Sequence, residues 1–404
     1  MRVFILLITI FLAIPVAGTA QGLEAGSRLS DSARISLITG SPGTELYTRF
    51  GHSAIRVYDP VRNLDIVFNY GTFNFNTPGF YVKFIRGKLL YYLSAYDFGR
   101  MHNEYIYLNQ SLFEQVLNLS ADEKEEVFEF LLRNYEPENR SYLYDFYFDN
   151  CSSRIRDVFQ DILGDKLKFR YEHITEQKSF RQLTDEQLGK APWGRFGIDL
   201  ALGMPADKIA APWDRMFLPY EMMYCFEQAV ITADSTEELF ASPVSAVHTA
   251  KPFDEPIAFF TPGRVFWLIF MLVFLLTIFQ VYQNTNIKHL DTAIFTVLGL
   301  AGCFILFLWL GTDHRVTKMN LNILWAFPAD LILIYFLLMK SRSPWLKYLL
   351  VLKIGMNILI LAGWNFLPQS FHAAIIPLIL INISRGGHLY WLSLRSRFNV
   401  EPKS

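Results

Sequence analysis

Cysteine is scarce in this chain: Cys151, Cys225 and Cys303 are the three in 404 residues. That is too few for a disulfide framework, so a thiol that matters here matters through its own chemistry. There is no paired-cysteine spacing and no His-Glu-x-x-His run, and the eight histidines are scattered, which argues against a metal centre. Excess charge of either sign is also missing: 37 basic and 38 acidic side chains leave a formal net charge of −1. A nucleic-acid binder would show a basic footprint, so that class is set aside. Internal repeats and low-complexity linkers are absent, which excludes a disordered or collagen-like chain. Glutamate vanishes between Glu255 and Glu401. From Arg264 to Leu394, 131 residues hold 12 charged side chains, about 9%, against about 23% elsewhere. An ordinary polar half is therefore joined to a membrane-like half.

The first twenty residues, Met1–Ala20, combine Arg2, an apolar run from Val3 to Val16, and small residues at Gly18 and Ala20. That is a signal-peptide layout with cleavage expected near Ala20; an uncleaved anchor is the alternative. In the membrane-like half, five stretches approach the roughly 20 apolar residues needed to cross about 30 Å of hydrocarbon. They are Val265–Val281, Asp291–Leu310, Ile323–Met339, Trp345–Trp364 and Ala373–Leu394, the last interrupted by Arg385 and His388. An odd number of spans starting outside puts the C-terminus in the cytoplasm. Lys340, Arg342, Lys347, Arg395, Arg397 and Lys403 then fall inside, as the positive-inside rule asks, while Arg315 and Lys318 fall outside. Lys353, Arg385 and His388 are costly in lipid and are expected to face other helices or to snorkel toward the cytoplasmic side.

Residues 21–262 read as a mixed α+β extracytoplasmic domain, followed by an all-α transmembrane domain over residues 263–404. Arg34–Thr39 is strand-like, and His52–Tyr58 and Leu64–Tyr70 flank an Asp-Pro-Val-Arg-Asn turn. A further strand is expected around Lys88–Asp97 and a helix over Glu104–Asn118. Ser120-x-x-Glu123 is a capping-box signal opening a helix to about Tyr135.

The sharpest chemical feature is Asp149-Asn150-Cys151-Ser152-Ser153. Asp149 or Asn150 can cap a helix running through Ser152–Leu163, whose Ile155, Val158, Phe159 and Ile162 form an apolar stripe. Cys151 then lies in the first turn, where the helix dipole favours a thiolate. Most free cysteines are simply small buried hydrophobes, and Cys225 and Cys303 are read that way. Phe50-Gly51-His52 supplies a histidine at the mouth of a strand, with Asn69 on the returning strand as the group that could orient its ring. If the turn pairs Tyr58 with Leu64, His52 lies opposite Tyr70. Cys, His and a third polar group are what a nucleophilic dyad requires. His102 and His173 are read as structural.

Gly51-His52-Ser53 on a strand, with Asn150-Cys151-Ser152 opening a helix far downstream, resembles the permuted papain-like (NlpC-type) cysteine enzymes. In these the His precedes the Cys, as in the lecithin:retinol acyltransferase group. A wider resemblance spans nearly the whole mature chain: it is similar to the Lnb-type lipoprotein N-acyltransferases of Gram-negative envelopes. The stretches that carry it are Phe50–Val57, Phe68–Phe73, Phe148–Ser152, Pro192–Arg195 through Asp199–Gly203, and Met216–Pro219. In the membrane half they are Thr312-Asp313-His314, Asn320-Leu321-Asn322 and Pro328. The resemblance implies acyl transfer through a Cys151 thioester with His52 as base. The third group is Asn69 or, less favoured, Asp65. Asn150, Ser152, Tyr70, Asp313, His314, Asn320 and Asn322 are candidate substrate contacts. Diacylated lipoproteins and membrane phospholipid are the implied partners, and the implied location is the inner membrane with the cysteine domain in the periplasm. Forming an amide from an ester is downhill, so no cofactor is demanded. The same dyad would serve a membrane-tethered peptidase or amidase acting on cell-wall peptide, and a non-catalytic envelope protein is the third alternative. Five spans favour a lipid substrate, because a wall hydrolase needs at most one anchor.

Overall fold

The computed structural model describes residues 28–233, 236–256, 258–338 and 345–398. The expected signal segment Met1–Ala20, with Met339, Lys340, Arg342 and Lys403, lies outside the described residues.

Seven antiparallel strands form the main sheet. In chain order they are β1 (Arg34–Gly40), β2 (His52–Asp59), β3 (Leu64–Thr72), β4 (Leu90–Asp97), β5 (Leu112–Val116) and β6 (Ser141–Leu143), with a seventh further on. A smaller sheet joins β7 (Leu167–Lys168), β8 (Val230–Ala233) and β9 (Thr236–Leu239), and β10 (Ser245–His248) is the seventh strand of the main sheet. The main order is β10-β5-β1-β2-β3-β4-β6. Helices α1 (Phe80–Ile85), α2 (Phe98–Tyr107), α3 (Ala121–Tyr135), α4 (Cys151–Leu163), α5 (Phe180–Gln187), α6 (Pro192–Ala201), α7 (Pro212–Arg215) and α8 (Pro219–Gln228) complete this half.

Period-two burial explains the layering. Ile35, Leu37, Ile55, Val57, Ile66 and Phe68 turn one sheet face onto α3, α4 and α8, where Phe128, Ile155, Phe159 and Phe226 fill the core. Ile38, Ala54 and Val67 turn the other face onto Phe98, Met101 and Tyr105 of α2. The expected α3 is present with both hydrogen bonds of its Ser120–Glu123 capping box. The helix expected over Glu104–Asn118 is displaced: α2 ends at Tyr107, and Leu112–Val116 is the strand β5, paired to both β1 and β10. Partners distant in sequence captured that segment.

Among the described residues the α-helices that follow are α9 (Pro262–Gln283), α10 (Lys288–Leu310), α11 (Asp330–Leu338), α12 (Trp345–Ala362) and α13 (Ile375–Phe398). Three of them, α9, α10 and α12, are long and apolar enough to cross a membrane. The expected third span from Ile323 is broken. A 3-10 turn over Leu321–Leu324 and Pro328 precede α11, which starts at Asp330. Lys353 and Arg385 face other helices: Lys353 is ion-paired with Asp330, and Arg385 donates to Asp291 at 2.7 Å and to Thr277 and Gln280 at 2.8 Å.

The two halves are clasped by hydrogen bonds to backbone carbonyls. Asn320 Nδ2 donates to Leu200 O at 2.8 Å and to Ala201 O at 3.1 Å, Gly203 N donates to Val316 O at 2.8 Å, and Asp313 N donates to Arg86 O at 3.0 Å. The turn after α10 therefore lies on the side of the sheet domain.

Candidate active site

Three chain segments meet at the end of the β2–β3 hairpin. His52 is the first residue of β2, entered through Gly51 at φ +76°. A Cβ on Gly51 would also stand 2.7 Å from Gly40 O, so both the backbone conformation and the space call for glycine. The hairpin register is one residue away from the expected one: Tyr58 pairs with Asp65 and Asp59 with Leu64. Continued, this sets His52 across from Gly71 and on the same sheet face as Asn69. Asn69 Oδ1 meets His52 Nε2 in a hydrogen bond. The amide oxygen accepts, so Nε2 carries the proton and Nδ1 is left for exchange with a thiol. Asp65 lies at the far end of the strand, where its carboxylate takes Arg56 at 2.7 and 2.8 Å.

Cys151 is the first residue of α4. Asn150 caps the helix with an extended backbone, its Oδ1 accepting from Ser152 N at 2.9 Å and Ser153 N at 2.8 Å, while Ser153 Oγ accepts from Asn150 N at 2.8 Å. Its Nδ2 donates to Phe146 O at 2.9 Å and Phe217 O at 2.8 Å. An aspartate would cap equally well but could not make those two donations. Ser152 is fully buried, its Oγ 2.9 Å from Ser53 Oγ.

The electrostatics are coupled. Burial alone would raise the Cys151 thiol, but the charge of His52, its hydrogen bond, the Ser53 N–H and the Ser152 hydroxyl together hold it below the ordinary thiol value. Burial alone would lower His52, yet Cys151 and the Asn69 hydrogen bond hold it above the usual imidazole value. Both directions favour a thiolate–imidazolium pair. Cys225 shows the contrast: beside His173 at 3.8 Å, its thiol is pushed up to about 12 by burial.

Residues 26–186 match the Lnb N-terminal periplasmic domain, and residues 254–397 match the Lnb transmembrane domain. The chain belongs to the Lnb family. Comparison with curated proteins and with solved structures returns no match. An Lnb chain is a periplasmic domain joined to a transmembrane domain, which makes it a membrane-embedded protein of the inner membrane with a lipoprotein N-acyltransferase-like role.

The remaining candidate residues of this Lnb chain divide into two groups. Tyr70 donates to Asn134 Oδ1 at 2.6 Å and lines a cavity of about 740 Å³ shared with Tyr144, Asp145, Asp149, Arg154 and His314. Asp313 borders the same cavity and lies 3.8 Å from Lys88. Asn320 and Asn322 are buried and turned onto the carbonyls of α6, with Gln369 bonded to Asn320 at 3.2 Å. These two hold the halves together. Sequence reasoning passed over Gly71 and Tyr144. Gly71 has φ +87° where the β3–β4 register shifts, and its missing side chain leaves a gap with Cys151 Cβ and Tyr144 Cε2 each 3.6 Å from where a Cβ would be. The signal for Gly71 was a glycine inside a strand pattern, which marks a bulge or a close approach. Tyr144 had no signal, because its place depends on how β6 leads into α4.

Proposed function

We propose that this chain transfers a fatty acyl group from a lipid ester to the α-amine of a lipoprotein's S-diacylglyceryl cysteine, with Cys151 as nucleophile, His52 as acid and base, and Asn69 orienting the imidazole. The observation that supports it most is the Cys151–His52–Asn69 cluster within a chain whose other half is a lipid-facing transmembrane domain.

In the first step the Cys151 thiolate attacks the ester carbonyl. The C–O bond breaks, the leaving glycerol oxygen takes a proton from His52, and a thioester remains on Sγ. In the second step the neutral amine attacks the thioester carbonyl, the C–S bond breaks to return the thiolate, and His52 receives the amine proton. The product is an amide and the enzyme is restored. Asn150 occupies the N–H groups of Ser152 and Ser153, so the Cys151 N–H is the first-turn donor left for the oxyanion. The papain-like ancestry of the dyad, the division at about residue 262 and a cytoplasmic C-terminus belong to the same reading.

Mass spectrometry of lipoprotein N-termini, from cells making wild-type or Cys151→Ser protein at matched levels, tests it. One N-linked acyl chain should be lost in the variant. Unchanged N-acylation in a strain with no second such enzyme rejects the reading.

A further inference from the structure

Residues 73–85 present an apolar surface that no described residue covers. Phe75, Tyr81 and Val82 are each more than 60% exposed and Phe84 is 50% exposed, on a short helix and its approach. An exposed cluster of this kind marks a contact surface. Its position relative to the membrane half is set by hydrogen bonds. Asp313 N donates to Arg86 O at 3.0 Å and His314 Nε2 lies 3.1 Å from Phe84 O, three and four residues beyond the last residue of α10, Leu310. The segment thus hangs at the level where a membrane-crossing helix ends. Its charges are basic: Lys83, then Arg86 and Lys88. Apolar and aromatic side chains flanked by lysine and arginine suit an interface of acyl chains and phosphate headgroups.

The segment is also joined to the nucleophile through a chain of rings. Phe80 lies 5.0 Å from Phe75 and 5.8 Å from Phe73; Phe73 lies 5.3 Å from Tyr91; and Tyr91 stacks on Tyr144 at 4.5 Å. Tyr144 and Cys151 border the gap left by the bare Gly71. An apolar wall therefore runs from the exposed segment to the thiol, beside the polar cavity that Tyr144 also lines.

We propose that residues 73–85 dip into the periplasmic leaflet of the membrane, and that the wall Phe73–Tyr91–Tyr144 is the route by which an acyl chain passes from that leaflet to Cys151. The second half of the proposal rests on the acyltransferase reading; the first does not.

Two readouts on the full-length protein in phospholipid vesicles separate them. A nitroxide on Val82→Cys, in a background of Cys151→Ser, Cys225→Ala and Cys303→Ala, is expected to collide with oxygen more than with a water-soluble nickel chelate. Its ratio should approach that of a label on Leu300→Cys, a 56% exposed position on α10. A water-like ratio overturns the proposal whatever the enzyme does, including the case where a protein partner covers the patch. In a native-cysteine background, the pair Val82→Asp and Phe84→Asp should slow acylation of Cys151 by a vesicle-borne long-chain acyl ester at least tenfold. Alkylation of Cys151 by iodoacetamide should not change, which shows that the fold and nucleophile are intact. Equal acylation in the variant and the parent overturns the route. If the parent takes no acyl group at all, the acyltransferase reading fails while the depth measurement still judges the leaflet contact.

Discussion

Cys151 is buried among apolar neighbours, which favours a neutral thiol, and yet the partners around it win. The decisive one is His52, whose charge and hydrogen bond oppose the burial. The rate of Cys151 alkylation should therefore rise through an inflection below the ordinary thiol value, because thiolate is already present there. In His52→Ala the burial is left with less opposition, so the inflection moves upward and alkylation at pH 7 falls. A pH profile with iodoacetamide checks the direction, and an unchanged inflection would contradict the pairing. Asn69→Ala removes one hydrogen bond that favours the imidazolium, so the Cys151 inflection shifts the same way by less, and acyl transfer drops about tenfold, the equivalent of a single hydrogen bond. Asp65→Asn should alter neither, since Asp65 is held by Arg56 at the other end of the hairpin.

Single elements place Cys151. Helix α4 begins at Cys151 because Asn150 stops the chain in an extended conformation and closes a reciprocal box with Ser153. Asn150→Ala removes the cap and also strips two buried carbonyls, Phe146 O and Phe217 O, of their donors. Together these should destabilise the domain by about 3 kcal/mol. Asn150→Asp restores the cap alone and should recover part of that loss. Thermal unfolding of the detergent-solubilised protein would rank wild type, Asp and Ala in that order. The bulge in β3 matters similarly. Gly71→Val would strain a positive φ and fill the gap beside Cys151, so the thiol should lose reactivity toward both iodoacetamide and acyl esters.

At the scale of the molecule, two ion pairs among the described residues are buried between the membrane helices: Lys353 with Asp330, and Arg385 with Asp291. One joins α11 to α12 and the other α10 to α13, so they set which faces meet. Breaking one should cost far more than deleting it. Lys353→Met alone leaves a carboxylate without its cation and is expected to destabilise the bundle by about 3–5 kcal/mol, whereas Lys353→Met with Asp330→Leu should recover most of that. Unfolding in detergent compares the two, and equal loss in the single and double variants would reject the argument. Asn320 and Asn322 act on the same scale, by fastening the loop after α10 to the end of α6.

Local pattern determined a good deal of this protein. The capping box of α3, the apolar stripe of α4, the alternation of β2 and β3 and the charge-poor stretches of α9, α10 and α12 are all consequences of neighbouring residues, and neighbours are what a sequence displays. The pairing of a strand-borne histidine with a helix-borne cysteine could be named for the same reason, since each has its own local signature. What the chain alone left undecided depends on distant partners. Leu112–Val116 became a strand because β1 and β10 flank it. Asn69 came to the face of His52 because the hairpin register differs by one residue from the simplest count, and a one-residue step exchanges faces. Asn320 and Asn322, polar loop residues by sequence, are buried because α6 presents its last carbonyls to them. Tyr144, Gly71 and Cys151 share one gap only after β6, β3 and α4 are assembled. Periodicity fixes what an element is, but long-range packing and register choose its neighbours, and the environment around Cys151 is made of neighbours.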